Sequence, residues 1–345
     1  VAAMNFKKLI HTPEYDFLWQ DEHLGENLIL LSVAGSYAYG TNNEFSDYDI
    51  RGIAVNRKSD LIGLGSYDQY VDSKTDTTIY TFNKIIKLLM DCNPNTCEML
   101  GLKEEHYLYL SPIGQELLDH KKLFLSKRAI HSFGGYAGQQ LRRLQNALAR
   151  DTMPQAEKEQ HILRSVENSM YNFKERYAKF ANGSLNIYLD QAVNPEFEQE
   201  IFMDAHFTHY PLRDYRNIWC EMNNVVKEYD KIGKRNHKKD EAHLNKHAMH
   251  LLRLFMMAID ILEKEEVCTY REKEHDLLMS VRNGAFQRED GMYRDEFYDI
   301  LADYEKRLDD AAKNTSLPDE PDKKKIEDFV MSVNERVIRG CVKLK

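Results

Sequence analysis

Asp47 and Asp49 stand one residue apart in VAGSYAYGTNNEFSDYDIRGIAV, residues 33–55, a stretch whose other residues read as buried strand. Side chains alternate along a strand, so the two carboxylates share a face and Tyr48 takes the other. Neighbouring carboxylates repel each other and resist burial. A divalent cation resolves the conflict. Aspartate oxygens suit Mg²⁺, which keeps waters and takes its remaining ligands from substrate phosphates. Upstream, Gly35 lets backbone N–H groups approach a phosphate, and Ser36 adds a hydroxyl donor at the start of a short helix, where anions are favoured.

The elements that must hold these residues follow from apolar periodicity. NLILLSVAG, residues 27–35, is a short continuous apolar run ending in glycine, which predicts a strand buried on both faces. DYDIRGIAV is a second strand by the same reasoning, and YDQYVDS and TTIYTF are two more, joined by a turn. After Phe82 the period changes. NKIIKLLMDC reads as a buried helix capped by Asn83 and stopped by Asn93 and Pro94. From Ser111 onward the chain is mainly helical, beginning with the serine cap and first-turn proline of SPIGQELLDHKKLFL. The extended SLNIYLD interrupts the helices, and a loop at 314–325 precedes the last one. The expected fold class is α+β: a mixed sheet over residues 1–120 and a helical domain over 121–345.

Composition narrows the function. No run of about 18 apolar residues occurs, which excludes a transmembrane helix, and the start lacks the apolar core of a signal peptide. A cytoplasmic protein with no membrane partner is expected. The five cysteines are scattered without a CxxC pair, so neither a disulfide framework nor a zinc site is expected. The net charge of −9 argues against non-specific coating of nucleic acid. The segment 227–253, which includes KIGKRNHKK, is strongly basic, so an anionic ligand would be met locally.

Three further acids, Asp68, Asp72 and Asp76, lie near the predicted hairpin. In strand alternation Asp76 shares a face with Thr78 and Tyr80. Arg51 continues the face of Asp49, toward either a phosphate or a neighbouring acid. Tyr39 and Gly40 lie in the turn after Ser36, where either a stacked base or simple packing is open. Lys246, His250 and Arg253 fall at i, i+4 and i+7, one polar stripe on an apolar helix. They form either a clamp for phosphates or a solvated cationic face. Gln139, Gln140, Arg142 and Arg143 are candidates for lining a cleft, and Asn93, Asn95 and Glu98 read as helix ends and caps. Arg282 precedes a glycine that reads as a helix stop.

The order strand, Gly-Ser, ten residues, Asp-x-Asp resembles the DNA polymerase β-type nucleotidyltransferase superfamily. The blocks DTTIYTFNKIIKLLMDCNPNTCEML, GGYAGQQLRRL, NKHAMHLLRLFMMAIDILEKEE, LLMSVRNGAF and LPDEPD extend the resemblance to the RNA-repair-associated polymerase β-like proteins of bacteria and phages. That resemblance implies a palm-like nucleotidyltransferase domain, a helical domain closing its cleft, an NTP substrate such as ATP and two Mg²⁺ ions, with Mn²⁺ as a substitute. One ion would hold the triphosphate and the other would acidify the attacking hydroxyl. Asp47 and Asp49 would ligate both ions. The family pattern D-x-x-x-Y-[ST]-x-x-K places the third carboxylate at Asp76, with Asp72 as the alternative. Gly35, Ser36, Arg51, Lys246, His250 and Arg253 would bind the nucleotide. The preferred acceptor is an RNA 3′ end, tRNA included. The alternatives are nucleotidylation of a protein or small molecule, and an inactive nucleotide-sensing or partner-binding module.

Overall fold

The computed structural model describes residues 6–44, 46–152, 154–169, 183–193, 195, 198–234, 241–289 and 291–341. The chain divides into two compact units, Val1–Leu141 with Lys246–Phe286 and Asp295–Lys345, and Arg142–Asn245 with Gln287–Arg294. The units interleave along the sequence.

The first unit is built on a five-stranded mixed sheet. Strands β1 (Leu28–Val33), β2 (Ile50–Ala54), β3 (Gln69–Asp72), β4 (Thr77–Thr81) and β5 (Tyr107–Leu110) lie in the order β3-β4-β2-β1-β5. β1 is antiparallel to β2 and β5, β3 is antiparallel to β4, and β2 is parallel to β4. LILLSV of β1 is buried at every position, as a strand covered on both faces requires. Gly52 of β2 has no room for a side chain, because a Cβ there would lie 2.7 Å from Leu30 O and 2.8 Å from Ile79 Cδ1. Close packing explains this glycine.

Helix α1 (Gly35–Tyr39) follows β1 directly, and α2 (Phe82–Met90) continues straight out of β4. Thr81 takes the N-cap position of α2, so Asn83 lies inside the helix rather than capping it, and its N–H bonds Asn56 Oδ1 at 3.0 Å. Helix α3 (Pro112–Asp119) starts as predicted, with the Ser111 hydroxyl accepting from Gly114 N–H at 3.2 Å. Then come α4 (Arg128–Thr152), α5 (Gln155–Ser169), α6 (Tyr215–Lys234), α7 (Glu241–Lys264), α8 (His275–Arg282), α9 (Asp295–Asn314) and α10 (Lys323–Ile338).

Every residue of α7 from 251 to 262 is buried. Largely apolar on all sides, that stretch is a core helix, and its buried acid is paired: Asp260 accepts from Arg271 and from Lys264 at 2.7 Å. Phe329 of α10 meets Phe82 edge-on at 5.6 Å and stacks on His120 at 4.6 Å. Residues from the end of the chain thus complete the layer around the sheet.

In the second unit β6 (Gly183–Gln191) and β7 (Gln199–Phe207) form an antiparallel ribbon. Ile187 of the ribbon is buried with Leu163 of α5 and Ile218 of α6. Among the described residues no helix is long and apolar enough to cross a membrane.

Candidate active site

Three strand ends meet in the first unit. Val33 at the end of β1 pairs with Ile50 at the start of β2, which pairs with Thr77 at the start of β4. Gly35, Asp49 and Asp76 lie just beyond these ends. The main chain joins them, with Ala34 N–H donating to Asp49 O (2.8 Å) and Ile50 N–H to Asp76 O (3.3 Å). Asp49 lies over Gly35: a Cβ on residue 35 would overlap Asp49 Oδ2, and the φ of +57° is one glycine adopts freely.

Asp49 and Asp76 stand close enough at these strand ends for each to act on the other's carboxyl. Burial first, and then Asp76, push Asp49 up to about 7, against the opposing pull of Arg51 and Lys246. Arg51 Nη1 donates to Asp76 O at 2.7 Å and to Ile50 O at 3.0 Å, and both Nη atoms reach Asp76 Oδ1 at 3.4 Å. Of the two partners expected for Arg51, the neighbouring acid is the one it meets here.

Asp76 ends the turn between β3 and β4 with a φ of +43°, a left-handed conformation that aspartate tolerates better than most residues. β4 begins only after it, so the turn, not strand alternation, aims its carboxylate. Asp72 is engaged elsewhere: it accepts from Thr75 N–H (2.9 Å) and Thr75 Oγ1 (2.8 Å), which hold it below the usual carboxylate range. Asp68 accepts from Lys84 Nζ at 3.3 Å.

Asp47 departs from the strand expected over DYDIRGIAV. β2 starts at Ile50, and Asp47 is exposed in the segment leading to it. Its charge reaches Tyr37, whose hydroxyl is raised to about 12 by burial, then by Tyr48, then by Asp47. Tyr48 stacks on Tyr37 at 4.7 Å, with Phe6 edge-on at 5.8 Å. Among the described residues no three His, Cys, Asp or Glu side chains are close enough together to hold a metal ion. The converged donor set is Asp49 with Asp76, hard carboxylate oxygens whose mutual repulsion helps to raise Asp49. That chemistry suits a divalent cation, with Asp47 standing apart.

A family model described as RNA repair pathway DNA polymerase beta family matches residues 14–332. The chain belongs to that family. No curated protein and no solved structure matches it. Membership places the chain among the polymerase β-type nucleotidyltransferases.

In this polymerase β-family chain, the stripe on α7 has three different environments. Lys246 is exposed and its charge pulls on Asp49. His250 Nδ1 lies 2.9 Å from Arg253 Nη2; arginine only donates, so Nδ1 accepts and the ring proton sits on Nε2. Burial first, then the charges of Arg253, His247 and Lys246, push His250 down to about 3. Arg253 is buried, with its guanidinium 3.4 Å from the centroid of the Tyr39 ring. The Tyr39 hydroxyl is 2.9 Å from Met257 Sδ, so this tyrosine is packed into the core.

Glu98 closes the helix Pro94–Cys97, as its reading as a helix end expects, but its side chain has a setting that reading did not anticipate. It is buried, burial raises its carboxyl, and Arg253, a hydrogen bond from Tyr39 and Arg51 pull it back down. Asn93 alone supplies the cap expected there, accepting from Asn95 N–H at 3.1 Å. The signal was an acid set in the buried run CEML, the same anomaly that singles out Asp49.

Arg282 ends α8 before Gly284, whose φ of +79° fits the predicted helix stop. Its guanidinium bonds Thr41 O and Ser46 Oγ (3.1 Å), and Ser46 Oγ in turn bonds Asn43 Oδ1 (3.0 Å). Arg282 therefore holds the segment that leads into Asp47. Ser36 is half-buried, and its carbonyl accepts from Thr41 N–H at 2.9 Å. Gln139 is exposed and Gln140 buried. The side chains of Arg142 and Arg143, and residues 235–240 of the basic loop, lie outside the described residues.

Proposed function

We propose that the chain is a divalent-cation-dependent nucleotidyltransferase that moves a nucleoside monophosphate from an NTP to the 3′ hydroxyl of an RNA, tRNA being one such acceptor. The hydroxyl oxygen bonds to the α-phosphorus, the bond from that phosphorus to the bridging oxygen breaks, and pyrophosphate leaves. The observation that carries this reading is the Asp49–Asp76 carboxylate pair at three strand ends, with Arg51 bonded to Asp76 and the charge of Lys246 acting on Asp49, in a chain of the polymerase β family. Mg²⁺, or Mn²⁺ in its place, would be held by Asp49 and Asp76 and would supply charge neutralisation and a more acidic hydroxyl; Asp47, which stands apart from the pair, would join them as third carboxylate by a shift of the segment before β2.

The chain's own groups do the rest. Asp76, the more exposed of the pair, faces the acceptor hydroxyl. Lys246 and Arg51 offset phosphate charge, Gly35 lets Asp49 lie close against the main chain, and Ser36 donates to a phosphate oxygen. Arg253 and His250 support the nucleotide from α7. Residues 1–120 form the catalytic domain in this reading, with helices from later in the chain completing it, and the reaction takes place in the cytoplasm.

Incubation with labelled NTPs, Mg²⁺ and either total RNA or a protein lysate tests the proposal. Label in RNA that disappears in Asp49→Ala supports it. Label confined to protein or to a small molecule overturns the RNA acceptor. Absence of transfer together with an NTP-induced rise in Tm overturns catalysis in favour of a nucleotide sensor.

A further inference from the structure

In the second unit, α6 carries an exposed stripe that its own core does not use. Ile218 is buried and Met222 packs beside it, but Tyr215, Trp219 and Val226 are 56%, 59% and 49% exposed. Tyr215 and Trp219 are four residues apart, hence neighbours on one helix face. Among the described residues they are the aromatic side chains in the set of exposed large hydrophobics.

Cations flank the rings. Arg213, Arg216 and Lys227 are exposed, Arg216 one turn before Trp219 and Lys227 two turns beyond it. The one acid at the start of the stripe, Asp214, is engaged locally by Tyr210 and by Asn217 Nδ2 (2.7 Å). Over residues 213–239 the sequence carries eight Lys and Arg against four Asp and Glu, in a chain of net charge −9. Flat apolar rings set between cations match a single strand, whose bases offer faces for stacking and whose phosphates need counter-charge. A duplex hides those faces, and an acidic peptide has no use for the rings.

We infer that the exposed face of α6, Tyr215 and Trp219 with Arg213, Arg216 and Lys227, binds single-stranded RNA by stacking unpaired bases. The inference rests on the RNA acceptor proposed above and adds a holding surface on the unit that lacks the carboxylate pair.

The test is fluorescence anisotropy of the full chain with a labelled single-stranded RNA of about 12 nucleotides, in EDTA so that no transfer occurs. Trp219→Ala is expected to weaken binding about tenfold. Trp219→Phe is expected to keep most of the affinity and to abolish the RNA-induced quenching of tryptophan emission, leaving Trp19 as the remaining tryptophan. Arg213→Ala with Arg216→Ala is expected to lower the slope of log affinity against log salt by about 1.4. No binding of the RNA, unchanged affinity in Trp219→Ala, equal binding of a polyglutamate peptide, or a Trp219-dependent self-association in place of RNA binding would each overturn the inference. The two proposals fail separately. Trp219-dependent binding without transfer sinks the catalytic reading alone, whereas transfer to RNA that Trp219→Ala leaves unchanged sinks this one alone.

Discussion

Acidification from pH 7 to pH 5 should weaken the folded chain by about 2 kcal/mol through the His250 ring alone. The ring is pushed from an ordinary 6.5 down to about 3, and its Nδ1 is committed as acceptor to Arg253. Arg253, His247 and Lys246 face it, Tyr136 lies edge-on at 5.7 Å, and no acid is among the groups that shift it, so an imidazolium there has nothing to stabilise it. A depressed pKa means that the unfolded chain takes up the proton first. The contribution is therefore whole above about pH 6.5 and falls as pH drops toward about 3. At pH 5 the unfolded ring is favoured by a factor of about 30, which is the ~2 kcal/mol stated. Urea unfolding of the wild type and His250→Gln at pH 7, 6 and 5 measures it, because glutamine offers Arg253 an acceptor that does not titrate. The stability difference between the two proteins should move by about 2 kcal/mol in favour of the variant. Parallel pH dependence in both would refute the buried, neutral acceptor.

Gly35→Ala places a methyl group where Asp49 Oδ2 lies and strains a φ of +57° by about 1–2 kcal/mol. Transfer should fall about 100-fold or more in a protein that still folds, and an unchanged kcat contradicts the placement of Asp49. Asp72→Ala, which loses its bonds from Thr75, should lower stability by about 1 kcal/mol or less and spare transfer. Asp76→Asn should do the reverse, and equal loss of activity in the two would show that only the turn matters. Arg282→Ala releases Thr41 and Ser46, so limited proteolysis within residues 41–46 should accelerate while transfer drops; unaltered cleavage counts against its hold on that segment.

Local chemistry made much of the fold readable from the residues. LILLSV reads as a covered strand because nothing in it needs water, and Ser111-Pro112 reads as a helix start because cap and fixed φ are local properties. Asp47 was misplaced because alternation holds only inside a paired strand. Pairing begins at Ile50, where Val33 and Thr77 supply partners, and that boundary is set by chain 17 and 27 residues away. The α7 stripe was readable as a stripe, since spacing is local. Its uses were not, because burial of the helix from residue 251 turns Arg253 onto Tyr39 and leaves Lys246 in the open. Glu98 and the Arg282 bonds to residues 41–46 depend on distant segments that no window of sequence spans.

Those distant segments form one electrostatic circuit. Asp76 acts on Asp49 and is bonded to Arg51, and Arg51 and Arg253 both act on buried Glu98. Arg253 donates to His250, and Lys246, on the same helix as His250, pulls on Asp49. Glu98 and Arg253 are its buried members, and breaking a buried charge pair by removing one partner costs about 3–5 kcal/mol, whereas the exposed Lys246 and Asp76 are screened by water. The circuit thus links α7 to the sheet electrostatically as well as through apolar packing, although some 200 residues separate them in sequence. It also explains why a carboxylate pair can persist at these strand ends: Arg51 is bonded to Asp76, and the charges of Arg51 and Lys246 oppose the rise that burial and Asp76 impose on Asp49.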